Sequence, residues 1–196
     1  SITLKLSFME KTFYGVTLIV KTDVPTHEQA DAYISDAPTK VSSDQTQNKF
    51  HRINLNATKR DNSQIFENIF RRTLEALLRL DKSGNCTTVA IEKLTQNTGS
   101  LNNYQIIRAM LCGMYGFCQI TCVAACPILI HKTAIKKITL FIPPEDLSVA
   151  EELDRTDNFK NFTDMYAEPR MQEILDKDTS PENNRYPQKK RSIEAS

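Results

Sequence analysis

The sequence TTVAIE at residues 87–92 decides the fold, because a run suited to a buried strand leads directly into the carboxylate of Glu92. A polar loop follows at residues 93–100, then an amphipathic segment at residues 101–117 and a second apolar run at residues 120–127. An apolar run, a segment with helical spacing and a further apolar run together predict a strand, a helix and a parallel strand. This stretch therefore predicts a parallel β-sheet with a helix packed across it.

Glu92 is the candidate functional residue of this unit. In open α/β sheets, ligands and chemistry collect at the carboxyl ends of the strands, and Glu92 stands at such an end. The alternative is that Glu92 is the first solvated residue after a buried strand, since charged residues are rarely buried. Its position alone leaves both interpretations open.

The composition fits one α/β domain with some additional chain. The 196 residues are 40% apolar and 25% charged, with 25 Lys and Arg against 24 Asp and Glu, which gives a net charge of +1. This balance excludes nucleic-acid binding by bulk charge, so any such contact must come from local patches. No apolar run approaches the roughly 20 residues that are needed to cross a bilayer, and the residues from Ser1 onward show no secretory signal pattern. We therefore expect an intracellular protein without membrane contact.

The cysteines indicate a reducing compartment. The chain has five cysteines, an odd number: Cys86 stands apart, and Cys112, Cys118, Cys122 and Cys126 are close together in an apolar stretch. Such usage favours free thiols over disulfides. The last four also suggest a thiol or metal site, but their spacing lacks the close C-x-x-C pair of zinc and iron–sulfur sites. Small buried residues are the alternative.

The chain before residue 87 is predicted to begin with three strands. Alternation of apolar and polar residues predicts strands at residues 2–6 and 50–55, and a high content of β-branched and aromatic residues predicts a strand at residues 13–21. The polar residues 22–48 are predicted to form a long loop. Asp61, three residues before Gln64, then predicts a capping box that opens a helix.

The segment after residue 132 is predicted to be an accessory extension to a core of residues 1–132. Residues 145–179 are acidic and interrupted, and residues 185–191 form a basic cluster with an aromatic residue. Basic side chains in local clusters suit phosphate contacts. The expected nucleic-acid-binding residues are Lys93, Lys132, Lys136, Lys137, Arg185, Lys189, Lys190 and Arg191.

The order of these elements resembles the ribonuclease H-like fold, and four motifs resemble Holliday-junction resolvases of the bacterial RuvC and poxvirus type. TFYGV at residues 12–16 looks like the opening of that family's second strand, and VAIE at residues 89–92 looks like the strand carrying its second catalytic acid. Residues 104–116 resemble the helix that follows, and KKRSIEA at residues 189–195 is similar to a basic helix start of the poxvirus branch. The resemblance implies a mixed five-stranded sheet, three antiparallel strands followed by two parallel ones, with helices on its faces and an irregular C-terminal extension.

The resemblance also implies a site that has lost its metal ligands. In that family four carboxylates hold two Mg²⁺ ions that cleave a DNA phosphodiester. Here the place of the first-strand aspartate is Leu6 or Ser7, and the place of the last acids offers only Glu194. Glu92 is then a vestigial catalytic residue, and we expect no metal and no cofactor.

We therefore expect a non-catalytic, resolvase-like protein that acts as a structural or nucleic-acid-binding component of a larger nucleoprotein assembly, for example a mitochondrial ribosome in the mitochondrial matrix. Its partners would be RNA or DNA and neighbouring proteins. The alternative is an active, Mg-dependent, structure-selective endonuclease, whose metal ligands would be Glu92 with Glu10, Asp154 or Asp157.

Overall fold

The computed structural model describes residues 7–23, 30–36, 49–53, 61–124 and 133–161. The described residues form a six-stranded sheet with three α-helices and a short 3-10 turn. The strands are β1 (Ser7–Phe13), β2 (Val16–Lys21), β3 (Ala32–Ser35), β4 (Lys49–Arg52), β5 (Thr88–Glu92) and β6 (Lys137–Phe141). The helices are α1 (Asn62–Ser83), α2 (Asn103–Ala124) and α3 (Leu147–Thr156), and the 3-10 turn is Pro144–Asp146.

The sheet is mixed, with the strand order β1-β2-β6-β5-β3-β4. β1 and β2 are antiparallel, and every other neighbouring pair in this sheet is parallel. The expected α/β class, a mixed sheet with helices, is therefore confirmed. Among the described strands, the three antiparallel strands expected at the start of the chain do not form, because β2 has β6 as its second neighbour and the next strand along the chain, β3, pairs with β4 and β5.

A two-residue turn at Tyr14 and Gly15 joins β1 to β2. Both residues have positive φ, 54° and 84°, and Phe13 pairs with Val16 across the hairpin. The prediction that a strand begins at Phe13 is wrong, since Phe13 is the last residue of β1. The strand predicted at residues 2–6 lies outside the described residues.

β3 lies inside the stretch that was predicted to be a long loop, residues 22–48. Its four residues are all buried, and it pairs with β5 on one side and β4 on the other. Four residues are too few for a periodic signal, and the neighbouring polar residues hide the strand at the level of sequence. The third predicted strand, residues 50–55, corresponds to β4, which begins one residue earlier and ends at Arg52.

α1 begins where its capping signal predicts. Asp61 accepts a hydrogen bond from the Gln64 amide at 2.8 Å, and the Gln64 side chain accepts one from the Asp61 amide at 3.3 Å. Gly84 ends the helix with a φ of 72°, a conformation that glycine adopts without a steric cost. The buried face of α1 packs against α2, where Gly113 allows the closest approach: a Cβ there would lie 2.9 Å from the Phe70 carbonyl oxygen.

α2 is longer than predicted. It continues through the apolar run that was predicted to be a strand, residues 120–127, at least as far as Ala124; residues 125–127 lie outside the described part. A short apolar run cannot be assigned to helix or strand by periodicity alone, and here it extends a helix that is buried on most sides. The second strand of the β5-α2 unit is instead β6.

β6 lies in the middle of the sheet, between β2 and β5. The predicted boundary, which ended the core at residue 132, is therefore wrong: the chain from residue 133 supplies a central strand and a helix, α3, that contacts β1 and α2. Residues 162–179 of the acidic stretch and all of the basic stretch 185–191 lie outside the described residues.

The central strands are buried on both faces, as parallel strands usually are. In β5, Val89 and Ile91 join the large cluster that contains the buried faces of the helices. Ala90, which points the other way, joins a second cluster with Tyr33 and Phe141. This continuous burial explains why β5 is the strand most easily identified from the sequence.

Candidate functional site at the carboxyl edge of the sheet

The carboxyl edge, where the parallel strands β2, β6, β5 and β3 end, is the candidate functional site. The chain leaves β3 toward β4 on one side and leaves β5, through α2, toward β6 on the other. The connections thus diverge between β3 and β5. In open α/β sheets such a divergence creates the crevice in which ligands bind.

Glu92 lies at this edge, but it is not beside the start of β1. The pairing register places Glu92 next to Phe141, Phe141 next to Lys21 and Lys21 next to Ser7. With strands about 4.8 Å apart, Ser7 and Glu92 are separated by roughly 14 Å. Two-metal sites hold their ions about 4 Å apart, so these two positions cannot hold a shared metal cluster. Leu6 lies outside the described residues.

Two further acids stand at the same edge, and sequence analysis missed both. Asp36 follows β3 and is 4% exposed; its Oδ2 accepts hydrogen bonds from the backbone amides of Thr95, at 2.6 Å, and Gln96, at 2.7 Å. This carboxylate therefore fixes the start of the loop after β5. Because its partners are backbone groups about 60 residues further along the chain, no local pattern marks it.

Asp146, which follows β6, pairs with Lys93, which follows β5. The distance from Lys93 Nζ to Asp146 Oδ2 is 2.6 Å, and the side chains are only 10% and 3% exposed. Lys93 Nζ also donates to Asn103 Oδ1 at 2.7 Å. The lysine that we expected to contact nucleic acid thus joins three segments of this edge: the ends of β5 and β6 and the start of α2.

The loop at residues 95–102 lies across the crevice and brings the first residues of α1 and α2 together. Ser100 Oγ donates to Asn62 Oδ1 at 2.8 Å. Gly99, with a φ of 58°, passes so close to Ile65 that a Cβ would lie 2.6 Å from its Cδ1. Both helix starts are capped by a side chain, α1 by Asp61 and α2 by Asn102, whose Oδ1 accepts from the Gln105 amide at 2.9 Å. The partial positive charge that helix N-termini carry nevertheless favours an anionic ligand where two of them meet.

The acids of the proposed endonuclease set do not meet at this edge. Lys11, on β1, makes ion pairs with Asp154 at 3.0 Å and Asp157 at 2.7 Å. Burial lowers the pKa of Lys11, but hydrogen bonds to Asp157 and Asp154 outweigh this effect, so the pKa is raised overall. Glu10 pairs with Ile19 in the register, away from the Glu92 row. Within the described ranges, no three His, Cys, Asp or Glu side chains are grouped so that they could hold a metal ion.

The described cysteines are separate buried thiols. Cys86, Cys112 and Cys118 form no disulfide bond and are at most 1% exposed, and Cys112 Sγ donates to the Phe159 carbonyl at 2.9 Å. Burial raises the pKa of the Cys118 thiol to about 12. The other members of the predicted thiol or metal site, Cys126 and the side chain of Cys122, lie outside the description.

Of the remaining basic candidates, the two that the structure describes do not lie at the carboxyl edge. Lys136 is exposed and Lys137 is half-buried, and both stand at the start of β6, on the opposite amino edge. The other five, Lys132, Arg185, Lys189, Lys190 and Arg191, lie outside the described residues. The predicted basic residues therefore do not form one surface in the part of the chain that is described.

No protein-family model matches this chain, and no curated protein is significantly similar to it. The resemblance to resolvases therefore stays a prediction. Within the described segments, no helix is both long enough and apolar enough to cross a membrane.

Proposed function

We propose that this protein is a non-catalytic binding component of a nucleoprotein assembly, such as a mitochondrial ribosome, and that it holds a phosphate group of nucleic acid at the carboxyl edge. The observation that carries this proposal is the joining of two helix N-termini by residues 95–102 across the point where the connections of β3 and β5 diverge. This combination of strand ends and helix starts favours phosphate ligands in α/β proteins.

The use of the acids at this edge argues against metal-dependent cleavage. Asp36 is bonded to backbone amides and Asp146 to Lys93, so neither carboxylate is available as a metal ligand without breaking the scaffold. Glu92, at the end of β5, lies roughly 14 Å from the start of β1. Since a two-metal site needs several carboxylates around ions about 4 Å apart, the arrangement supports binding rather than hydrolysis.

Nucleic acid is the ligand class that connects this edge with the rest of the sequence. The chain has no general basic excess, so we infer recognition of individual phosphates at built sites rather than electrostatic wrapping. The absence of a disulfide bond at Cys86, Cys112 and Cys118 is consistent with a reducing compartment.

The substitution Asn103→Asp tests the site. It is isosteric, places a negative charge in the first turn of α2, and keeps the acceptor for Lys93. A negative charge near a helix N-terminus is stabilising, so we expect the unfolding free energy of Asn103→Asp to be unchanged or higher. A phosphate about 4 Å away would be repelled by about 1 kcal/mol in water, which corresponds to a fivefold or greater loss of affinity.

Binding of labelled RNA and DNA oligonucleotides is measured by fluorescence anisotropy for the wild type, Asn103→Asp and a matched control, Asn161→Asp. Asn161 is an exposed asparagine beyond α3, so its replacement adds the same charge elsewhere. If all three proteins bind equally, the carboxyl edge is not the site. Nicking of four-way junction DNA with Mg²⁺ or Mn²⁺ that is abolished by Glu92→Gln would refute the non-catalytic proposal.

A further inference from the structure

Tyr14 occupies a position for which its side chain is poorly suited. It is the first of two residues with positive φ in the turn between β1 and β2, and Gly15 is the second. Such two-residue hairpin turns favour Asn-Gly, because positive φ is sterically costly for a bulky side chain. A tyrosine at this position lowers local stability, and its side chain is not buried in the folded hairpin.

The Tyr14 ring is open to solvent and supported from one side. It is 56% exposed, and among the described residues it is the one large hydrophobic side chain with such exposure. Its ring lies 6.5 Å from that of Tyr115, which is buried and in turn makes an edge-to-face contact of 4.8 Å with Phe13. The aromatic surface is therefore held in place by the core while remaining accessible.

Lys136, which is exposed, lies next to this turn along the amino edge, whereas Lys137 lies with Phe141 on the face of the sheet opposite to that of Tyr115. The Thr17 amide donates to the Lys136 carbonyl at 2.9 Å, and the Lys136 and Lys137 amides both donate to the Thr87 carbonyl, at 2.8 and 3.2 Å. These bonds fix the start of β6 between β2 and β5. Two acids flank this edge: the Asp31 carboxylate accepts hydrogen bonds from Thr87 and Thr88, and the buried Asp81 carboxylate accepts from the amides of Ala134 and Ile135 at 2.7 and 3.0 Å.

We infer that the patch formed by Tyr14 and Lys136 binds single-stranded nucleic acid, with an unpaired base stacked on Tyr14 and a phosphate near Lys136. An accessible aromatic ring beside basic side chains is the usual platform for unpaired bases, because every base offers a π-face that a duplex conceals. Strain at an exposed residue is the kind of local irregularity that marks functional positions. The inference rests on the nucleic-acid partner of the proposed function and adds the strandedness of that partner and a second contact surface.

Affinity for a labelled single-stranded homopolymer and for a blunt duplex is measured over a range of salt concentrations. For Tyr14→Ala we expect single-strand affinity to fall about fivefold to 150-fold, with little change for the duplex. Tyr14→Phe should bind as the wild type does, because it retains the ring. Tyr14→Asn should lose binding while remaining at least as stable, because asparagine suits the turn.

The role of Lys136 is tested by the salt dependence of the same binding. Lys136→Gln should reduce the slope of log affinity against log salt by about 0.7, the value for one phosphate contact on a single strand, and Lys136→Arg should restore it. If the wild type binds no nucleic acid at all, the proposed function fails. If it binds single strands and duplexes equally well, or if Tyr14→Ala leaves single-strand affinity unchanged, this inference fails while Asn103→Asp still reports on the carboxyl edge.

Discussion

Replacing Lys93 by methionine should destabilise the protein by about 3–5 kcal/mol, the cost of leaving one member of a buried ion pair without its partner. The pair qualifies as buried, since Asp146 is 3% exposed and Lys93 10%, and the contact is 2.6 Å long. The loss also removes the bond from Lys93 to Asn103, so the ends of β5 and β6 and the start of α2 separate together.

The measurement is urea unfolding followed by far-UV circular dichroism, because the chain contains no tryptophan. With a denaturant slope of about 2 kcal/mol per molar, a loss of 3–5 kcal/mol moves the midpoint down by about 2 M. Arg71→Met is the matched control. Its ion pair with Glu67 is 3.8 Å long and more exposed, so removing it should cost less than about 1 kcal/mol.

The double variant Lys93→Met with Asp146→Leu decides whether burial of the charge is the cause. Replacing both partners by apolar side chains leaves no unpaired charge, so the double variant should be more stable than Lys93→Met alone. If Lys93→Met costs no more than Arg71→Met, or if the double variant is the least stable of the set, the buried-charge explanation is refuted.

Three further outcomes are expected from other parts of the molecule. Gly113→Ala should destabilise the protein by about 1–3 kcal/mol, because the new Cβ would lie 2.9 Å from a backbone oxygen. Gly116→Ala should be neutral or stabilising, because the nearest contact of its Cβ would be 3.4 Å. Thermal unfolding of the two variants checks this difference. Hydrogen bonds from the backbone and side chain of Thr87 lower the pKa of Asp31 below 3.8 in the folded protein. The ionised carboxylate therefore stabilises the fold above about pH 4, and this contribution is lost as the pH falls through the lower folded-state pKa. Asp31→Asn should reduce the dependence of the unfolding free energy on pH in the acid range. Burial raises the pKa of Cys118 to about 12, so iodoacetamide should label this thiol only after unfolding, as peptide mass spectrometry would show.

The features that the sequence predicted correctly depend on neighbouring residues. The capping box of α1 is a contact between Asp61 and Gln64, three residues apart, and both of its hydrogen bonds are present. β5 was recognisable because four strand-forming residues follow one another before Glu92, and its burial on both faces requires that continuous pattern.

The features that the sequence did not predict depend on residues far apart in the chain. β6 was assigned to an extension because nothing near it records that β2 and β5 lie on either side. The same holds for Asp36 and Asp146, which look like ordinary solvated acids until their partners, the amides at residues 95 and 96 and the ammonium of Lys93, are brought to the same edge. Propensity and periodicity carry no information on such pairings.

At the turn of Tyr14 and Gly15, neighbouring residues give a clear local signal, but the fold determines a different structure. The sequence was interpreted there as the opening of a strand, since a phenylalanine, a tyrosine and a valine surround a single glycine, and aromatic and β-branched residues favour strands. The structure instead places Tyr14 in a positive-φ position that favours asparagine and leaves its ring exposed. The contact with the Tyr115 ring, 6.5 Å away, offsets part of the cost of the positive φ, but more than half of Tyr14 stays exposed. The binding of single strands that we infer accounts for this exposure, and a fully stable Tyr14→Asn variant with unchanged affinity for single strands would refute it.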